Sequence, residues 1–99
     1  MSLTEKQKKH LRGLGHALEP VLLTGAAGVT PGVVAELDAT LAHHELVKVR
    51  VRAAERSERD TMIEALCEAS GAELVQRIGH VALLWRPNPE RRRVPLPRD

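Results

Sequence analysis

Between an apolar run and a helix start, residues 22–34 read LLTGAAGVTPGVV. Gly25, Ala26, Ala27 and Gly28 leave that loop almost bare of side chains. A glycine-bearing turn ahead of a helix N-terminus offers backbone N–H groups and the positive end of the helix dipole, which suits an anion such as a phosphate. The same residues would also make a plain strand-to-helix turn, and a lone GxxG does not separate the two. Nucleotide hydrolysis fits poorly. The phosphate loop of NTPases is longer and ends in Lys and Ser or Thr, whereas Gly28 is followed by Val29, Thr30 and Pro31. The dinucleotide fingerprint G-x-G-x-x-G is missing too.

Cationic side chains gather in three further places. Lys8, Lys9 and Arg12 sit near the N-terminus, Lys48, Arg50 and Arg52 alternate with valines, and Arg91, Arg92 and Arg93 form a run near the C-terminus. The formal net charge of +2 is divided as +2 over residues 1–19, −3 over 20–85 and +3 over 86–99. Basic ends around an acidic middle suggest a polyanion footprint, though solvated faces and a disordered tail give the same pattern. Trp85 is the only aromatic side chain of the Phe, Tyr and Trp class. That excludes the modules that read single strands by stacking bases on exposed aromatic rings.

Other reactive residues lack partners. His43 and His44 are adjacent, so their side chains diverge, and cationic histidines are favourable at a helix C-terminus. His10, His16 and His80 have no carboxylate or cysteine at ligand spacing. Cys67 is the single cysteine, which rules out an intramolecular disulfide and reads as a small core residue. No nucleophile–base pair stands out, and we expect neither an enzyme nor a metal or cofactor.

The elements that position these groups follow from periodicity. Leu3, Gln7, Leu11, Leu14 and Leu18 form one helical stripe, capped by Ser2 or Thr4 and ended by Pro20. PVLL (20–23) reads as a short buried strand. Thr30-Pro31 opens a second helix with a good N-cap and a proline at the first position, and Val33, Val34, Leu37 and Leu41 make its apolar face. ELVKVRVRA (45–53) alternates as a half-buried strand with Lys48, Arg50 and Arg52 on its exposed side. Ser57 is expected to cap a third helix that Gly71 ends. Strands at roughly 73–78 and 81–86 join through Gly79-His80 as a hairpin. VALLW is apolar at every position, as in a strand buried on both sides or central in a sheet.

The expected fold is therefore α/β: a helix, then β-α-β-α-β-β, forming a two-layer mixed four-stranded sheet. Right-handed crossovers would put the second and third helices on one face, leaving the first free to pack elsewhere. Residues 1–86 are expected to form a single domain. Residues 87–99, with four prolines and no helical period, read as an extended basic tail that folding does not need. The N-terminus MSLTEKQKKH carries no apolar leader, and no stretch is long and apolar enough to cross a membrane. A cytoplasmic monomer is the expectation.

Several separated blocks carry a family likeness. TEKQKKHLRGLGHALEPVLLTGAAGVTPGVVAEL, then HHELVKVRV and VALLWRP, closely resemble the bacterial YhbY proteins, stand-alone members of the CRM (chloroplast RNA splicing and ribosome maturation) RNA-binding family. The resemblance runs through nearly the whole chain without a visible insertion. It implies a fold like the C-terminal domain of translation initiation factor three. It also implies that Gly25-Ala26-Ala27-Gly28 is a GxxG loop used like the KH-domain loop that clamps a nucleic-acid backbone. Structured RNA, above all ribosomal RNA in large-subunit precursors, is the implied partner. Plant members often have basic residues inside the loop, where this chain has Ala26 and Ala27. Attraction must then come from Lys8, Lys9 and Arg12, from Lys48, Arg50 and Arg52, and from Arg91, Arg92 and Arg93. The rival reading is a protein-interaction module, in which the acidic third helix and the basic tail bind ribosomal or assembly proteins and the loop is only a turn.

Overall fold

A computed structural model describes residues 3–24, 28–90 and 94–97. The element order is α1 (Glu5–Gly15), β1 (Leu22–Leu23), α2 (Pro31–His44), β2 (Leu46–Arg50), α3 (Arg56–Ser70), β3 (Glu73–Ile78) and β4 (Val81–Trp85). This is the expected succession. β2, β4 and β3 make a three-stranded antiparallel sheet, and two-residue β1 extends it parallel to β2, giving the order β1-β2-β4-β3.

Alternation along the strands sorts side chains onto two faces. Val47 and Val49 of β2 and Ala82 and Leu84 of β4 meet Leu37 and Leu41 of α2 and Ile63 and Leu66 of α3. The four helix residues are 0–2% exposed, and each contributes about 2 kcal/mol of burial. Leu46, Leu83 and Trp85 point the other way, into a second cluster with Leu3 and Leu11.

That second cluster corrects the expected two layers. α1 covers the remaining sheet face, so the molecule has three layers: α1, the sheet, and α2 with α3. The cause is β4 itself, apolar on both sides and therefore in need of cover on both. α1 comes close because Gly15 has no side chain: a Cβ there would lie 2.6 Å from Cδ2 of Leu83. The helix starts at a capping box, with Thr4 accepting from the Gln7 N–H and Gln7 accepting from the Thr4 N–H. It stops at Gly15, earlier than Pro20 would require, and tightens into bonds from the Ala17 and Leu18 N–H groups to Leu14 and Gly15. Leu14 and Leu18 consequently stay 42% and 37% exposed rather than buried in the stripe.

Part of the segment beyond Arg86 packs back on the domain. Val94 and Leu96 pack against the second cluster, and the Gln7 side-chain amide donates to the Pro97 carbonyl. Glu45 explains how this segment is held. It closes α2 with a positive φ of 63°, is fully buried, and accepts from the N–H groups of Asn88 (2.6 Å) and Val94 (2.8 Å). The expected strand start at Glu45 is therefore a helix cap, and β2 begins one residue later. Arg86 belongs to the body as well. It pairs with Asp38 and donates to the carbonyls of Ser70 (2.7 Å) and Asp38 (2.9 Å), joining the middle of α2 to the C-terminal ends of α3 and β4.

Truncation after Pro87 should accordingly destabilise the protein, since it strips two donors from a buried carboxylate and uncovers part of the second cluster. We expect a loss of about 2–4 kcal/mol, or a fall in Tm of about 10 °C or more, read by circular dichroism. An unchanged Tm would show that the docked segment adds nothing.

Candidate nucleic-acid interface

The GxxG loop enters from β1 and leaves into α2. Gly25, Ala26 and Ala27 lie outside the described residues; Gly28 has φ 75°, a left-handed conformation that favours glycine. Thr24 fixes the entry. Its N–H donates to the Arg50 carbonyl (3.0 Å), and its fully buried hydroxyl accepts from the Arg52 N–H (3.0 Å). On the exit side Thr30 caps α2, accepting from the Val33 N–H, and Pro31 takes the first helical position, as the sequence suggested.

The sheet register brings distant segments to that same end. Arg50 pairs with Leu23 on one side and with Val81 on the other, and the Val51 N–H donates to the His80 carbonyl. Chain then runs from β2 into α3, whose N-cap is Glu55, two residues before the Ser57 expected to fill that role. The N-termini of α2 and α3 thus both lie at the carboxyl ends of the parallel pair β1 and β2. Two positive dipole ends converge there. This is also where open α/β sheets bind their ligands.

An open cavity of about 560 Å³ occupies this end. Gly28 lines it from the loop, Arg50 and Arg52 from the end of β2, and Ala53 and Ala54 from the connection that follows. α3 contributes Glu58 and Met62, and the β3–β4 turn contributes His80. Met62 Cε lies 3.7 Å from where a Gly28 Cβ would sit. Arg50 and Arg52 are exposed, with no ion pair of theirs among the described residues. Behind His80, Arg59 places Nη1 3.4 Å from the imidazole Nδ1.

The other expected residues are elsewhere. Lys8, Lys9 and Arg12 are on α1, across the sheet from α2 and α3. Lys48 is half-buried in a groove with Gly15, His16, Pro20, Gln76 and Ile78. Arg91, Arg92 and Arg93 lie outside the described residues; Asn88 and Val94 on either side of them bind Glu45. Glu45 caps the C-terminal end of α2, a 14-residue helix, so it stands about 20 Å from the loop. Of the thirteen basic and loop residues the sequence singles out, Gly28, Arg50 and Arg52 are brought together around the cavity. Sequence reasoning missed Met62, Glu58 and His80 as their neighbours. The signal for His80 was the hairpin, but only the β2–β4 register ties its turn to Arg50.

Among the described residues no group of three or more His, Cys, Asp or Glu could hold a metal ion, and no helix is long and apolar enough to cross a membrane. Burial, with Glu64 and Glu73 nearby, pushes the Cys67 thiol above its ordinary pKa, so it stays protonated and unreactive at neutral pH.

The model of the CRS1/YhbY (CRM) domain matches residues 3–86. The chain belongs to that family. A Pseudomonas aeruginosa protein named a probable RNA-binding protein is 47% identical over 90 residues, which are 91% of this chain and 86% of the relative. A Haemophilus influenzae protein named an RNA-binding protein is 44% identical over 97 residues, 98% of this chain and 97% of that one. The solution structure of a Staphylococcus aureus protein, proposed to bind RNA, superposes with a TM-score of 0.83 at 35% identity, covering 97% of this chain and all of that one.

Thr24→Val tests how the loop is anchored. It keeps the side chain's shape but leaves the Arg52 N–H without its acceptor, which should cost about 1–2 kcal/mol. Denaturant melts should show that loss, and amide exchange at Arg52 should quicken. An unchanged exchange rate would mean that the hydroxyl does not hold the loop.

Proposed function

We propose that this CRM-domain protein is a non-enzymatic, monomeric RNA-binding protein that associates with large-ribosomal-subunit precursors in the cytoplasm. The fold likeness to the C-terminal domain of translation initiation factor three belongs to the same reading. The observation that carries it is the convergence of Gly28, Arg50, Arg52 and two helix N-termini at one sheet end, in a chain whose relatives are named RNA-binding proteins. The loop N–H groups of Gly25, Ala26, Ala27 and Gly28 donate to backbone phosphate oxygens, and the small side chains let the RNA approach. Arg50 and Arg52 add salt-dependent attraction beside the loop.

The remaining cations act at a distance. Lys8, Lys9, Arg12 and Lys48 flank the α1 side, and Arg91, Arg92 and Arg93 extend the footprint from the segment held at Glu45. A duplex or folded RNA longer than the roughly 20 Å length of α2 would reach both ends, so structured RNA is the better ligand. In the rival protein-interaction module the acidic α3 and the basic C-terminal segment bind ribosomal or assembly proteins and the loop is only a turn; the apolar groove lined by Leu14, Leu18, Leu46 and Val94 would add surface for such a partner. Association with precursors only through a protein partner would favour it.

Two sets of substitutions test the reading in electrophoretic shift assays with structured RNA. Ala26→Glu puts a carboxylate where phosphate is expected and should abolish the shift, while folding stability changes by less than about 1 kcal/mol. Ala27→Lys should strengthen binding. Changing both Arg50 and Arg52 to Gln should weaken binding more at low than at high salt and reduce the salt slope by about two. If Ala26→Glu binds RNA as well as the parent, the loop is only a turn.

A further inference from the structure

The cavity beside the loop is larger and more mixed in character than a phosphate cradle requires. A phosphate needs donors alone, and an acidic side chain on the wall opposes it. Here Glu58 lines the same space as Arg50 and Arg52, and Met62, Ala53 and Ala54 add apolar surface. Its volume of about 560 Å³ falls within the range of small-molecule sites. Beside it, Arg59 carries a second signal. Its Nε is buried and has no hydrogen-bond partner among the described residues, although its Nη1 reaches His80 on the cavity wall. A buried guanidinium donor left unpaired is costly, and it sits directly behind the His80 wall.

Building on the RNA-binding reading above, we infer that this cavity takes one unpaired nucleotide from an otherwise structured RNA. Its phosphate is held by Arg50 and Arg52. Its base lies against Met62, Ala53 and Ala54, where thioether and methyl groups with guanidinium planes replace the aromatic rings that the chain lacks. Glu58 then gives the pocket a preference. A carboxylate only accepts, so it favours bases with an exocyclic amino group and disfavours uracil, whose one ring N–H is flanked by two carbonyls. The opposing charges on the wall thereby acquire separate tasks, Arg50 and Arg52 for the backbone and Glu58 for the base edge.

The test compares three RNA hairpins with the full chain: fully paired, with one bulged adenosine, and with one bulged uridine. The adenosine bulge should bind at least fivefold tighter than the paired hairpin, and the uridine bulge should fall between them. Glu58→Ala, an exposed change near the start of α3, should erase the difference between adenosine and uridine, while the lost negative charge raises the affinity of all three hairpins by a similar factor. Ala54→Leu, at an exposed position that does not disturb the core, should lower affinity for both bulges and spare the paired hairpin. If all three hairpins bind equally and Ala26→Glu still abolishes binding, the loop reading stands and the nucleotide pocket is overturned. If no hairpin binds at all, both readings fall. A bulge preference that survives both Glu58→Ala and Ala54→Leu would place the nucleotide elsewhere and also overturn the pocket.

Discussion

β4 is hydrogen-bonded along both edges and covered on both faces, and most of the architecture follows from satisfying it. Its five residues are all apolar, so neither face tolerates water. Ala82 and Leu84 require α2 and α3 on one side; Leu83 and Trp85 require α1 and the C-terminal segment on the other. With both faces of β4 packed, the cavity beside Arg50 and Arg52 opens at an end of the sheet. One end is closed by Arg86, Asp38, Ser70 and Glu45. The other carries the loop, two helix N-termini and the cavity.

The two ends are electrically different for the same topological reason. Parallel β1 and β2 deliver their carboxyl ends to one side, so the helices that follow them both begin there. Their dipoles add to Arg50 and Arg52. At the opposite end the C-terminus of α2 is met by His43 and His44, and Glu45 is buried among backbone donors of the docked segment. Backbone and side chains together thus make the loop end the more electropositive of the two.

Much of this was legible in the sequence because it is local. Thr30-Pro31 marks a helix start by capping chemistry, the Val47-Val49-Val51 alternation marks a strand, and VALLW marks a doubly buried one. What stayed hidden depends on residues far apart in the chain. Gly15 looks like a poor helix former, and its use in letting α1 approach Leu83 appears only once the two are packed. Glu45 looks like the first residue of an alternating strand, yet it is a buried helix cap that binds residues more than forty positions away. The proline-rich segment beyond it has no period of its own, since its anchors are Val94, Leu96 and that carboxylate. Arg50 and Arg52 were visible as cations. Their separation from Lys48, half-buried beside α1, was set by where β2 ends.

In the proposed function RNA meets the protein at the loop end of the sheet. Titrating the isotope-labelled full chain with a structured RNA hairpin, and following each backbone amide by NMR, tests it most directly. The largest shifts should cluster at residues 25–30, at Arg50 to Ala54 and at His80, with the exposed edge of β3 and the groove by Leu14 and Leu18 little changed. Largest shifts in that groove, with the loop and Arg52 unmoved, would contradict it.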